Sequence, residues 1–113
     1  MTLDELRALA MAFPGAAEEY PFGDDTAVFK AANRKMFVLA SVDPAQPLGV
    51  TVKLTPEEAS EALLFPFVSV AAYLGRHGWV TARVSSEPEW EIARPWVERS
   101  HSLVTAKPAR RAR

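Results

Sequence analysis

The chain has 113 residues and a mass of 12.4 kDa, with 49% hydrophobic and 24% charged residues, which suits one compact domain. These values exclude a multidomain enzyme and a wholly disordered chain. Thirteen basic and fourteen acidic residues give a formal charge of -1, which removes any global electrostatic attraction to nucleic acid or to an anionic membrane. There is no cysteine, which excludes disulfides, cysteine-ligated metals and thiol nucleophiles.

The first fifteen residues do not have the pattern of a secretory signal. Asp4 and Glu5 precede any apolar run, and no basic head is followed by an unbroken apolar segment. No apolar stretch reaches the roughly 18 residues that a membrane-spanning helix needs. We therefore expect a cytoplasmic protein with no membrane partner.

Three predicted helices begin with the same pattern, a Ser or Thr followed three residues later by Glu. In this pattern side chains and backbone satisfy each other's hydrogen bonds at the first turn. The pairs are Thr2 with Glu5, Thr55 with Glu58, and Ser86 with Glu89. Pro56 strengthens the second start, because a missing N–H costs nothing at the first helical position.

The first and third helices have predicted ends as well as starts. Apolar spacing predicts the first helix over residues 3–13, where Pro14 and Gly15 stop it. The third is predicted from near Glu87 to about Ala106. Because Pro95 lies inside this run, a kink near residues 91–95 or a later start of the helix stays open as an alternative.

Between the first two helices the hydrophobic period changes to two, which predicts strands. Runs at residues 26–30 and 35–40 form a predicted hairpin with a turn at residues 31–34, in which Asn33 is best suited to a positive φ. Further strands are predicted at residues 49–54 and 79–85, with a short edge strand within residues 17–22.

Consecutive strands with short loops predict an antiparallel sheet, and the helices must then cover one of its faces. The predicted fold class is α+β, a single antiparallel sheet covered on one face by helices. Residues 1–106 form one predicted domain, and residues 107–113 are predicted to be a disordered basic tail. Four large aromatic residues at element ends are predicted to be core: Phe22, Phe29, Phe37 and Tyr73.

The other face of the predicted sheet carries a candidate binding surface. Alternation places Lys53, Trp79 and Arg83 opposite the apolar residues of their strands, together with two threonines and with Lys30 as an addition from the hairpin. An aromatic among basic residues on an open sheet can stack bases and pair with phosphates. The same pattern also fits an ordinary solvated face with one partly packed Trp, so both interpretations stay open.

The hairpin tip is a second basic feature, formed by Lys30, Arg34 and Lys35. A β-ribbon of this size can enter a DNA groove or contact phosphates, although Lys-rich tips also serve solubility. The tail adds four basic residues and no acid: Lys107, Arg110, Arg111 and Arg113. Without them residues 1–106 have nine basic and fourteen acidic residues, a charge of -5, which weakens the case for a dedicated nucleic-acid binder.

No motif points to catalysis, a metal or a cofactor. The acidic residues at 18, 19, 24 and 25 do not fit an EF-hand, and a solvated loop in which Asp25 supports a turn is favoured. His77 and His101 lack metal-ligand spacing, and the chain has no nucleophile elbow and no glycine-rich phosphate loop. We expect no cofactor and no enzymatic activity, although an active site assembled in space would leave no such motif.

An ordered series of short motifs runs along the chain. It comprises Tyr20-Pro21-Phe22-Gly23, Val28-Phe29-Lys30, Lys35-Met36-Phe37, Val52-Lys53, Tyr73-Leu74 leading to Gly78-Trp79, and Ser100 with Leu103-Val104. In this series the chain resembles the MmcQ/YjbR family of small bacterial proteins over nearly its whole length. The resemblance implies an α+β domain similar to the bacterial frataxin (CyaY-like) fold. It also implies the family's usual description, a DNA-binding protein with a proposed double-wing motif.

The resemblance also points to particular residues. Lys35, Lys53 and Trp79 match the family's basic and aromatic pattern, with Ser100 on the last helix. His101 departs from the pattern, because an aromatic residue is common there. Similarity to the frataxin fold raises iron binding, but the first helix has no acidic ridge, so none is expected.

Two functional hypotheses follow. The first is a non-enzymatic domain that binds nucleic acid through the basic hairpin, Lys53, Trp79, Arg83 and the tail. The second is a protein-interaction or small-anion-binding module that uses the same face, with Lys53 contacting a carboxylate or phosphate of an unidentified partner. The sequence leaves the oligomeric state open.

Overall fold

The computed structural model describes residues 3–42, 47–72 and 74–106, which form three α-helices and six β-strands. In chain order these are α1 (Leu3–Met11), β1 (Ala17–Glu19), β2 (Thr26–Lys30), β3 (Met36–Ser41), β4 (Leu48–Lys53), α2 (Pro56–Ala62), β5 (Val68–Val70), β6 (Trp79–Val84) and α3 (Glu87–Thr105). A 3-10 helix at Gly75–His77 precedes β6. None of the described helices is long and apolar enough to cross a membrane.

The strands form one sheet in the order β1-β2-β3-β4-β6-β5, and all neighbouring strands are antiparallel. The helices pack on one face of this sheet, with α3 contacting β3, β4 and β6. The predicted α+β class is therefore confirmed. The predicted tail, residues 107–113, lies outside the described residues.

The helix starts follow the predicted capping pattern where they are described. Thr55 Oγ1 accepts a hydrogen bond from Glu58 N at 3.2 Å, and the Glu58 carboxylate accepts one from Thr55 N at 3.0 Å. Thr2 lies outside the described residues. α1 ends at Met11, two residues earlier than predicted. α3 begins at Glu87, as predicted, and continues through Pro95, so the alternative of a later start is wrong.

The hairpin turn differs from the prediction in one residue. Arg34, not Asn33, has the positive φ, at 71°. Asn33 uses its side chain instead. Its Oδ1 accepts from Lys35 N at 3.0 Å and its Nδ2 donates to Val104 O on α3 at 3.0 Å. The hairpin tip is thereby attached to the C-terminal end of α3.

One strand was not predicted. The short edge strand expected within residues 17–22 is β1, whereas the prediction contained no strand corresponding to β5. β5 lies within an apolar stretch that shows no period-two alternation, so the sequence gives no strand signal there. Only the pairing with β6 in the structure identifies it as a strand. The glycine that precedes β6 is required by the backbone. Gly78 has a φ of 88°, and a Cβ there would lie 2.3 Å from Leu54 O.

The core lies between the sheet and the helices and includes residues from every strand of the sheet except β1. Phe29 and Phe37 are fully buried there, as predicted. Phe22 is a wrong core prediction, because its side chain is 68% exposed in the loop between β1 and β2. Tyr73 lies outside the described residues.

Candidate nucleic-acid interface

The face of the sheet opposite the helices is the open face, and the strand register defines it. Thr51 lies opposite Thr81 and Gly49 opposite Arg83, while Lys53 lies opposite Trp79. Side chains of such pairs project to the same side of a sheet. The two threonines are joined at their hydroxyls, with Oγ1 to Oγ1 at 2.8 Å. The predicted assignment of Lys53, Trp79, Arg83 and the two threonines to this face is therefore confirmed.

Arg83 is the most accessible cation of the open face. Its guanidinium lies across β4 above Gly49, where an added Cβ would come within 3.0 Å of Nη1 and 3.2 Å of Ser41 Cβ. Gly49 therefore leaves the space in which the arginine side chain lies. Among the described residues, no acidic group forms a salt bridge with this guanidinium. Its five N–H donors are available to an anion.

Lys53 is half-buried at the end of β4. Its backbone amide is used within the fold, because it donates to Ser100 Oγ at 2.8 Å. The side-chain ammonium has no salt bridge within the described ranges. An aliphatic stem against the sheet with a free ammonium at its end is the arrangement expected for a lysine that meets an anion or water.

The cations of the hairpin tip are of two kinds. Lys30 Nζ pairs with the Glu19 carboxylate on β1 at 2.9 Å, so its charge is largely compensated. Arg34 and Lys35 are exposed. Neither has an acidic partner in the part of the chain that the structure describes. Only these two of the three predicted tip cations are open to a ligand.

Trp79 is in the predicted place, but it is not accessible. Its side chain is 6% exposed, although it belongs to the open face and not to the core beneath the helices. Strand alternation fixes the side of the sheet to which a residue points, but not whether neighbouring segments cover it. Trp79 therefore offers no free ring on which a base could stack.

Ser100 is also removed from the candidate surface, because its side chain is fully buried. In the register of β3 and β4, Leu39 lies opposite Thr51, so the next bonded pair would be Phe37 with Lys53. The ladder stops before this pair, and the Ser100 hydroxyl bridges the gap. It accepts from Lys53 N at 2.8 Å and donates to Phe37 O at 2.6 Å.

A register shift lies next to this gap, on the other side of β3. Between Phe29 and Lys30 of β2 the pairing with β3 shifts, which leaves Phe37 without a partner on β2. Phe37 and Val38 are both buried in the core as a result. The signal for Ser100 in the sequence was its place in the family pattern, and the structure gives that position a structural role.

Several described groups have shifted pKa values because of contacts within the fold. Hydrogen bonds from Arg7 lower the carboxyl pKa of Glu18, and the bond to Glu18 raises the pKa of Tyr20. Burial lowers the pKa of His101, whose ring stacks on Phe13 with 3.8 Å between centroids. Within the described residues, no group of three or more His, Asp or Glu side chains could hold a metal ion.

A groove between α1 and α3 has a volume of about 560 Å³. Its polar lining is Glu5, Glu87, Glu91 and Arg94. It is on the helix side of the sheet and is more acidic than basic. The structure does not bring any of the predicted cations into it.

Comparison with known proteins identifies relatives over most of the chain. The YjbR family model matches residues 11–103. The structure of Deinococcus radiodurans protein DR2400, which contains the domain named DUF419, is similar with a TM-score of 0.79 and 29% identity, over 94% of this chain and 80% of that one. A Pseudomonas syringae protein solved by a structural-genomics consortium shares the fold with a TM-score of 0.73 at 19% identity, over 91% of this chain and 98% of that one.

A search of curated proteins finds no match. The family match spans both the sheet and α3, and so it includes the Ser100 bridge and the open-face cations Lys53 and Arg83. On this evidence the chain belongs to the YjbR family.

Proposed function

We propose that this protein is a cytoplasmic, non-enzymatic domain that binds the phosphate backbone of nucleic acid. The proposed contacts are Arg83 and Lys53 on the open face and Arg34 and Lys35 at the hairpin tip. The main support for the proposal is the position of Arg83. Its guanidinium lies over Gly49 and has no acidic partner among the described residues. Guanidinium groups bind phosphate oxygens in a bidentate manner.

The proposed binding is directed to the backbone and not to the bases. Trp79 is buried, and no other aromatic residue lies on the open face in the register of the described strands. The other residues of this face are threonines, Ser41, Ser69, small or aliphatic residues and Glu19, besides the cations. Phosphate contacts position a protein on nucleic acid without distinguishing sequences. We therefore expect similar affinity for DNA duplexes of different sequence and no stacking-based preference for single strands.

The hairpin tip lies beside the C-terminal end of α3. Asn33 Nδ2 bonds to Val104 O, and Ala106 is the last described residue before the four basic residues of the tail. Nucleic-acid binding by the folded domain therefore has to be separated from binding by the tail, which could contact phosphates by itself.

The test is fluorescence anisotropy with labelled duplex and single-stranded DNA over a range of salt concentrations. Each neutralised phosphate contributes roughly 0.9 to the slope of log K against log salt. We expect Arg83→Ala and Lys53→Ala each to weaken binding and to reduce this slope by about 1. The matched control is Arg94→Ala, which removes the same charge from α3 on the helix side.

A chain that ends at Ala106 completes the test. The proposal requires that this shortened chain still binds and that Arg83→Ala weakens its binding further. An equal loss in the Arg94→Ala control would show a general charge effect and would contradict the proposal, as would binding that disappears with the tail.

The negative body of the protein favours a second candidate, a small anion or an acidic protein segment on the same face. Residues 1–106 have a charge of -5, which repels a long polyanion but has little effect on a single carboxylate or phosphate beside Arg83. Calorimetry with inorganic phosphate distinguishes the two. Phosphate binding that is lost in Arg83→Ala, without DNA binding, would favour this candidate.

A further inference from the structure

The exposed apolar side chains of the described residues are concentrated near β5. Four of the seven large exposed hydrophobic residues lie between positions 63 and 70, and Leu64 and Val70 are 84% and 60% exposed. The stretch from residue 62 to residue 75 contains no charged residue and no histidine. Clustered exposed apolar residues of this kind mark interaction surfaces.

β5 is also an edge strand, and few of its backbone N–H and C=O groups point away from β6. Arg83 N donates to Phe67 O at 2.9 Å, so by alternation Val68 and Val70 direct their backbone groups away from β6. The outward N–H of Val68 already donates to Phe65 O at 3.1 Å. Val70 therefore presents the one N–H of β5 that remains for an added strand, together with its own C=O.

The two edges of the sheet differ in protection. At β1, Glu18 pairs with Arg7 and Glu19 pairs with Lys30, so charged side chains cover the edge. Charged residues of this kind discourage strand addition. β5 has no charge, and only Pro66 in the preceding turn limits pairing there. The edge that is open to pairing is therefore β5.

A second copy of this chain fits the β5 edge better than a foreign strand. An antiparallel pair of two β5 strands about a two-fold axis at Val70 needs only one N–H and one C=O from each copy, which matches what Val70 offers. A long foreign strand would also need the N–H of Val68, which is already bonded. The absence of charge makes the surface complementary to itself and gives a charged peptide no partner.

We propose that two copies of this protein associate through β5, with Val70 paired to Val70 of the second copy. In such a pair the two Val70 Cα atoms lie about 5.5 Å apart. The six-stranded sheets of the two copies then join into one continuous sheet. The exposed Leu64 and Phe65, in the turn that leads into β5, extend the apolar contact on the helix side.

Sedimentation velocity of the full chain at loadings from about 1 to 100 µM tests this proposal, because a dimer of micromolar affinity dissociates over that range. We expect the natural chain to sediment as a dimer at high loading. Val70→Pro removes the outward N–H without removing a bond to β6 and is expected to give a monomer. Leu64→Glu changes a side chain outside the core and is expected to weaken the dimer at least tenfold, because the contact would have to take an unpaired carboxylate out of water.

The matched control is Ala12→Glu, which adds the same charge at an exposed position after α1. This control should dimerise like the natural chain. A natural chain that stays monomeric at 100 µM or so would overturn the proposal and leave the edge to a foreign strand. A dimer that persists in both Val70→Pro and Leu64→Glu would also overturn it, because the interface would then lie elsewhere.

Discussion

At the scale of single residues, Ser100 shows how one hydroxyl completes a sheet. It supplies the acceptor for Lys53 N and the donor for Phe37 O where the ladder of β3 and β4 stops. We expect Ser100→Ala to lower the free energy of unfolding by about 2–3 kcal/mol, because two buried backbone groups lose their partner. Urea unfolding followed by tryptophan fluorescence measures this loss.

The control for this prediction is Ser102→Ala, an exposed position on the same helix. It has the same effect on helix propensity and should change the stability by less than about 0.5 kcal/mol. Hydrogen exchange at the Lys53 amide gives an independent readout, since the bridge protects this amide. Equal free energies of unfolding in the two variants would show that the Ser100 hydroxyl does not link β3 to β4.

At the scale of elements, local signals predicted most of the fold. The capping pairs gave the starts of α2 and α3, and the period-two runs gave β2, β3, β4 and β6, because each signal lies within a few neighbouring residues. β5 and the burial of Trp79 were not predicted. Both depend on contacts between segments that are far apart in the sequence, and periodicity contains no information about such contacts.

In the candidate site, too, features with a local signal were predicted and features that depend on distant contacts were not. Alternation correctly placed Lys53 and Arg83 on the open face, because direction within a strand is a local property. The Lys30–Glu19 salt bridge joins residues eleven positions apart and could not be read from spacing. The bridge role of Ser100 depends on where α3 crosses the end of the β3–β4 ladder, which lies 47 and 63 positions away in the sequence.

The β2–β3 hairpin gives a prediction at the element scale. Arg34 has a φ of 71°, a left-handed conformation that costs a residue with a Cβ about 1 kcal/mol. We expect Arg34→Gly to raise the free energy of unfolding by about 0.5 kcal/mol, after allowance for the greater entropy of glycine in the unfolded chain. Arg34→Ala keeps the Cβ and should give no such gain in thermal or urea unfolding. A gain of equal size in both variants would show that the charge, not the backbone, causes the change.

At the scale of the whole molecule, ion pairs connect elements that are distant in sequence. Arg7 Nε on α1 bonds to Glu18 on β1 at 2.6 Å, and Arg99 on α3 bonds to Glu58 on α2 at 3.0 Å. The pKa of Glu18 is lowered chiefly by its hydrogen bonds from Arg7, and that of Glu58 chiefly by its bond from the Thr55 backbone. Each carboxylate therefore stabilises the fold at neutral pH.

These shifts predict two steps of acid destabilisation. Burial lowers the pKa of His101 below its usual 6.5, so the unfolded chain takes up the proton first and stability begins to fall as the pH drops through 6.5. The carboxylates of Glu18 and Glu58 affect the stability at lower pH. Their contribution is complete above their usual pKa of 4.5 and is lost as the pH falls through their lowered values in the folded protein.

A single variant separates the two steps. His101→Phe keeps a ring against Phe13 and removes the titrating group, so the loss of stability between pH 7.5 and 5 should become smaller while the loss below pH 4.5 remains. Urea unfolding at closely spaced pH values measures both regions. His77→Gln removes an exposed histidine and serves as the control, which should keep the profile of the natural chain. If His77→Gln reduced the loss of stability between pH 7.5 and 5 instead, the His101 imidazole would not be the group that responds. Its packing, stacked on Phe13 and edge-on to Phe37, would then have to tolerate its charge.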